Sequence, residues 1–142
     1  MSKATQSNTQ AGDIVLTAGV DLSDKEGRAE KIADDSGSPV VKLPEAQTDI
    51  TPYVLTEGAE AGKPVSIRPL DGSRNVRLVL TGTCDAGDTL VLADHTSVPG
   101  CVQTVPADAG DYRALAIAEE SGLDGQLVLC RPVPLGIVTV TE

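Results

Sequence analysis

The sequence has no Phe and no Trp, and its only aromatic rings apart from His95 are those of Tyr53 and Tyr112. Platforms of stacked aromatic side chains, on which proteins bind bases and sugars, are therefore almost excluded. Hydrophobic residues still make up 40% of the 142 residues, so a core is possible, but Val, Leu, Ile and Ala must build it. At this length we expect one domain.

Basic residues are scarce, with 11 Lys and Arg against 21 Asp and Glu, for a net charge of −10. Phosphate backbones and anionic lipids repel such a surface, so we expect neither nucleic-acid nor membrane partners. No apolar run approaches the roughly 20 residues that span a bilayer. The first ten residues also lack the apolar stretch of a secretory signal, so we expect a cytosolic, reduced chain.

Paired ligands at metal-binding spacing are missing. The three cysteines, Cys84, Cys101 and Cys130, are an odd number with no Cys-x-x-Cys pair, which indicates neither a disulfide framework nor a zinc site. Each adjoins an apolar run, so we predict that they are small buried hydrophobic residues. The sequence has no calcium loop and no glycine-rich phosphate loop, so we predict no metal and no cofactor.

A catalytic centre is also difficult to assemble from this sequence. The single histidine, His95, follows Asp94, and neighbouring residues of a strand point to opposite faces. A lone histidine in a polar turn is most often solvated, and no nucleophile motif accompanies it. We therefore predict no catalytic residues and no enzyme activity.

What the sequence does contain is a series of short β-rich runs separated by Gly, Pro, Asp and Ser. This spacing predicts an all-β fold, a small barrel or sandwich of about ten short strands with at most one or two short helical turns. The candidate strands are residues 13–17, 29–33, 39–43, 53–57, 64–68, 75–81, 89–93, 101–105, 113–119, 126–131 and 136–141.

Two segments leave a helix open. Leu22–Ala33 has Ser23 as a possible N-cap and Glu26 in capping-box spacing, although Gly27 limits it to about one turn. Residues 111–120 contain good helix formers, but the turn that follows them and the run 126–131 favour a hairpin.

The first ten residues and the charge distribution along the chain suggest binding surfaces. Residues 1–10 are polar and without periodicity, so we predict a flexible arm there and a single β domain over 11–142. Residues 62–80 carry one acidic residue and four basic ones, whereas residues 82–142 carry two basic and nine acidic residues. The basic group is either an ordinary solvated strand face or a docking face; it comprises Lys63, Arg68, Arg74 and Arg77.

Several turns and strands resemble the small capsid decoration (cement) proteins of tailed bacteriophages. In those proteins a Gly-Asp turn leads one strand, a Gly-led strand follows, and an Ala-rich strand and a Val/Leu-rich strand close the fold. The matching segments here are residues 86–92, 100–102, 112–118 and 124–132, with an earlier block at 53–70.

This resemblance implies a homotrimer that binds the major capsid protein on the outside of an expanded capsid and stabilises it. Such a protein is made in the host cytoplasm and ends in the virion. The resemblance also implies that the polar arm orders on contact with the shell. The arm residues expected to contact the capsid are Ser2, Lys3, Thr5, Gln6, Asn8 and Thr9.

Two alternatives stay open. Residues 17–22 and Asp111-Tyr112-Arg113 look like motifs of trimeric dUTP pyrophosphatases, which are small all-β enzymes. However, Val20 replaces the motif's Tyr, Ala109 stands where the catalytic Asp would fall, and the phosphate-binding motif is missing. The other alternative is a β interaction module of a head fibre or a tail.

Overall fold

The computed structural model describes residues 12–141, and within that range every regular element is a β-strand. Five strands close a small barrel in the order β1-β3-β2-β4-β5. They are β1 (Ile14–Ala18), β2 (Ala29–Asp35), β3 (Ser38–Lys42), β4 (Tyr53–Glu57) and β5 (Pro64–Pro69). All pairs in this barrel are antiparallel except β1 with β3, which run parallel.

The second half of the chain forms an open antiparallel sheet in the order β6-β10-β9-β7-β8. Its strands are β6 (Val76–Val79), β7 (Thr89–Leu92), β8 (Val102–Thr104), β9 (Gly110–Ala118) and β10 (Leu127–Val140). The prediction of an all-β fold with about ten strands is confirmed. No helix of the described part is long and apolar enough to cross a membrane.

The alternation that the sequence predicts places the core. On β6, Val76 and Leu78 are buried while Arg77 between them is exposed, as a strand with one covered face requires. The barrel encloses one aliphatic cluster, which includes Leu22, Val41, Leu55 and Ile67. A second cluster fills the space between the barrel wall and the open sheet, and it contains the paired barrel residues Ala29 and Val54.

Residues 27–29 join the two sheets through main-chain hydrogen bonds. The Gly27 amide donates to the Leu55 carbonyl oxygen in the barrel at 2.9 Å, and the Val79 amide of the open sheet donates to the Gly27 carbonyl oxygen at 2.9 Å. The Ala29 amide also donates to the Gly100 carbonyl oxygen at 2.7 Å. Backbone groups, which must be paired when buried, therefore fix the barrel against the open sheet.

The helix considered for Leu22–Ala33 is wrong. Residues 23–27 form turns, in which Asp24 has a φ of 58°, and the strand β2 begins at Ala29. Tertiary pairing overrides the capping pattern, because the amides of Gly27 and Ala29 donate to Leu55 of β4 and to Gly100, both distant in sequence, rather than to a preceding helical turn. Residues 110–118 are a strand paired with β10, so the hairpin alternative is correct.

The last two predicted strands, 126–131 and 136–141, are one strand in the structure. β10 stays paired with β9 on both sides of an irregularity, where the register shifts between Pro132 and Gly136. Pro132 and Pro134 lack the amide that a regular ladder needs, and the bulge accommodates them. The predicted arm, residues 1–10, lies outside the described residues.

Candidate functional site

Three of the four predicted docking-face residues line one groove between the barrel and the open sheet. Arg68 comes from β5, Arg77 from β6, and Arg74 from the turn that precedes β6. Lys63 is exposed just before β5 and does not line this groove. The structure therefore brings Arg68, Arg74 and Arg77 together and leaves Lys63 apart. We call the surface that these three residues line the arginine groove.

Carboxylates balance two of these arginines. Arg68 Nε donates to Asp13 Oδ1 at 2.8 Å, and Arg77 Nη1 donates to Glu120 Oε2 at 3.1 Å. The hydrogen bond from Arg68 lowers the pKa of Asp13. A hydrogen bond from the Leu129 amide, with a contribution from Arg77, lowers the pKa of Glu120. Arg74 is exposed and forms no ion pair within residues 12–141, so it is the groove cation most available to a partner.

His95 differs from the expected solvated histidine. It is half-buried, and its Nδ1 is inaccessible and has no hydrogen-bond partner in the described part of the chain. Asp94 does not pair with it, because that carboxylate accepts hydrogen bonds from Thr96 and Ser97 and closes a turn. The hydrogen bond from the Thr96 amide lowers the pKa of Asp94.

The cysteines confirm the prediction that they are buried. Cys84, Cys101 and Cys130 are all free, and burial raises the pKa of each thiol, that of Cys130 to about 12. In residues 12–141, no three His, Cys, Asp or Glu side chains are grouped so that they would hold a metal ion.

The two segments that look like dUTP pyrophosphatase motifs lie in different sheets. Thr17 and Ala18 end β1 in the barrel, whereas Asp111-Tyr112-Arg113 belongs to β9 of the open sheet. Tyr112 is buried and its hydroxyl donates to the Asp108 carbonyl oxygen, while the guanidinium of Arg113 donates to the Thr48 carbonyl oxygen. Within the described chain, both side chains hold neighbouring loops in place.

A wide groove was not anticipated from the sequence. It is a groove of about 720 Å³ on the side where the β10 bulge faces the ends of β4 and β5, and its lining is mainly apolar. We call it the proline groove, because four of its lining residues are Pro52, Pro69, Pro132 and Pro134. The signal available in the sequence is the run from Leu127 to Val140, which contains no acidic residue in a chain of net charge −10.

Comparison with known proteins gives a fold likeness and no sequence match. The sequence matches no protein-family model and no curated protein. The structure is similar to the crystal structure of the N base of the head fibre gp8.5 of bacteriophage phi29, with a TM-score of 0.67 and 14% sequence identity. The match covers 92% of this chain and 97% of that chain. At this identity the likeness establishes the fold.

Proposed function

We propose that this chain is a structural protein of a bacteriophage particle, bound to the outside of the capsid, and that it is not an enzyme. The observation that carries the proposal is the shared fold with the base of a phage head fibre over nearly the whole of both chains.

The segments that resemble capsid decoration proteins support the same assignment independently of the fold likeness. Residues 86–92, 100–102, 112–118 and 124–132 fall on or beside β7, β8, β9 and β10. Those four strands are neighbours in the open sheet. These four segments therefore assemble into one sheet, whereas the earlier block 53–70 lies in the barrel as β4 and β5.

Two roles on the capsid follow from these two likenesses. As a decoration protein, the chain binds the major capsid protein as a homotrimer and stabilises the expanded shell. As the base of a head fibre, which the phi29 likeness favours, it attaches a longer projection to the shell. In both roles the polar segment 1–10 and the arginine groove are candidate contacts with the capsid.

Shell binding tests the proposal. Purified protein is incubated with expanded shells of the phage that carries its gene, prepared without decoration proteins and fibres, and the mixture is sedimented. We expect the protein to sediment with the shells in a fixed ratio to the capsid subunit. Failure to cosediment at micromolar concentrations of both components would contradict capsid attachment.

Heating the same complexes distinguishes the two roles. A decoration protein raises the temperature at which the shell disrupts, because it binds the intact shell in preference to its dissociated subunits. A fibre base that contacts a single capsid subunit binds the shell and the free subunit equally well, so it leaves that temperature unchanged. The nucleotide alternative is tested by incubating dUTP and magnesium with the protein at high concentration; release of pyrophosphate would favour the enzyme.

A further inference from the structure

Among the described residues, β10 has the longest strand edge without a partner. In the closed barrel, β2 pairs with β4 only through Ala29 and Glu30, so residues 31–35 also have one free side, but Lys31, Asp34 and Asp35 place protecting charges there. In the open sheet, the outer strands β6 and β8 have only four and three residues, and backbone bonds from Val79 to Gly27 and from Thr81 to Val102 use part of each. β10 differs, because β6 pairs only with its residues 127–130.

The open edge of β10 is suited to association. Residues 135–140 pair with β9 on one side only, and on the other side no backbone bond to the rest of residues 12–141 is formed. This stretch, Leu-Gly-Ile-Val-Thr-Val, contains no proline and no charge, although natural edges are usually protected by one or the other. Every residue in it is at least partly exposed.

Exposed apolar side chains surround this edge. Leu135 is 48% and Ile137 42% exposed, and Ile50 beside the proline groove is 67% exposed. Ile137 lies directly across from Arg113, which lines the groove, so the edge and the groove form one continuous surface. Among the residues that line the groove, Asp71 is the only acidic one and Arg113 the only basic one. Beside the edge, Asp111 lies across from Thr139 and accepts a hydrogen bond from its hydroxyl group.

A buried hydroxyl in this surface also lacks a partner. Thr51 is 2% exposed, lines the proline groove, and its Oγ1 makes no hydrogen bond to any described residue. A buried polar atom without a hydrogen bond is costly, and a donor or acceptor brought by an occupant would satisfy it. An occupant therefore has both apolar side chains and polar groups, as a polypeptide does.

We propose that the open β10 edge and the proline groove form the surface through which copies of this chain associate. The occupant is a second copy, because its identical unprotected edge supplies the backbone donors and acceptors that this edge lacks. Two chains of net charge −10 repel each other over most of their surfaces, so they can meet only through a region with few carboxylates. The acid-free strand β10 and the groove beside it supply that region. This contact joins the subunits of the proposed capsid-bound oligomer. The expectation that this oligomer is a trimer rests on the proposed function, whereas the choice of contact surface does not.

Sedimentation equilibrium of the full chain tests the inference. We expect an oligomer at micromolar concentration that Leu135→Glu and Ile137→Glu each weaken at least tenfold in dissociation constant. The matched controls are Leu123→Glu and Val15→Glu, which place the same charge at apolar residues 70% and 66% exposed outside this surface. Thermal unfolding verifies that each variant is folded.

Hydrogen exchange gives a second readout that needs no substitution. We expect the amides of residues 135–140 to exchange faster as the protein is diluted, while those of β7 keep their protection. A parent chain that is monomeric throughout, or an oligomer that neither β10 variant weakens, would overturn the inference. Shell cosedimentation of the same variants is measured separately. A chain that forms the oligomer but does not bind shells would contradict capsid attachment and leave the self-association surface intact.

Discussion

Glu30 on β2 lies directly across from Tyr53 on β4, on the face of the barrel wall that points inward. Its side chain is completely buried, and neither carboxyl oxygen has a hydrogen-bond partner among the described residues. Burial raises the pKa of Glu30 to about 9, against a smaller opposing effect of the Arg28 charge. At neutral pH the group is therefore a protonated acid inside an aliphatic barrel.

The first prediction concerns the effect of pH on stability. Between pH 5 and 8 the folded chain keeps the Glu30 proton, whereas the unfolded chain releases it, so stability falls as pH rises. We expect a slope from this group of about −1.4 kcal/mol per pH unit in the free energy of unfolding. Glu30→Gln removes this slope, and urea unfolding at several pH values measures it. The control is Glu57→Gln on the exposed end of β4, and equal slopes in all three proteins would contradict the prediction.

The second prediction concerns the main-chain junction between the sheets. Gly100 has a φ of +80°, and a Cβ there would lie 2.7 Å from the Ala29 carbonyl oxygen, which cannot move without disturbing β2. Gly37 has a similar φ of +91°, but no atom lies within 4 Å of the corresponding position. We expect Gly37→Ala to cost about 1 kcal/mol for backbone strain and Gly100→Ala roughly 2–5 kcal/mol, because overpacking is added. Urea unfolding compares the two variants, and similar losses of stability would show that the junction accommodates a methyl group.

The third prediction tests whether shell binding depends on a basic residue in the arginine groove or only on the net charge of the chain. Arg74→Glu and Lys63→Glu make the same change in net charge, but only Arg74 lines the groove. We expect Arg74→Glu to weaken shell binding about tenfold at low salt, which corresponds to about 1.4 kcal/mol, and less at high salt because of screening. Lys63→Glu has a smaller effect. Cosedimentation at two salt concentrations provides the measurement, and the reverse ranking would place the contact elsewhere.

The fourth prediction concerns the polar segment at the start of the chain. Deletion of residues 1–10 weakens binding to shells, because an arm that orders on contact adds surface to the interface. It leaves the midpoint of thermal unfolding unchanged, since the segment has little apolar content to contribute to a core. A deleted chain that no longer folds, or one that binds shells as tightly as the parent, would rule out this role.

Side-chain alternation and turn residues predicted much of the fold. The alternation of Val76, Arg77 and Leu78 predicted a half-buried strand, which the structure shows. The apolar runs beside the cysteines predicted that these residues are buried. Barrel closure was not predictable, because the parallel pairing of β1 with β3 depends on contacts distant in sequence. The burial of Glu30 was equally hidden, since a single glutamate in a polar stretch predicts exposure.

In the candidate sites, too, local sequence predicted some features, whereas others depend on contacts between distant segments. Three of the four basic residues of segment 62–80, namely Arg68, Arg74 and Arg77, line one groove. The sequence did not show that they would meet there, and it gave no indication of the ion pairs with Asp13 and Glu120. The proline groove arises from segments 50–52, 69–72, 113–115 and 132–136, which meet only after folding. The feature of the sequence that relates to this groove is the absence of acidic residues from β10, which is informative only in a strongly acidic chain.

The main-chain junction at residues 27–29 has a consequence for divergence within this fold. Its hydrogen bonds run between peptide groups, which every amino acid except proline supplies equally, so substitutions around it leave the bonding groups in place. A lineage that keeps the glycine at position 100 is then free to exchange most other side chains while the two sheets hold the same mutual orientation. An amide-based linkage of this kind is compatible with a shared fold at 14% sequence identity.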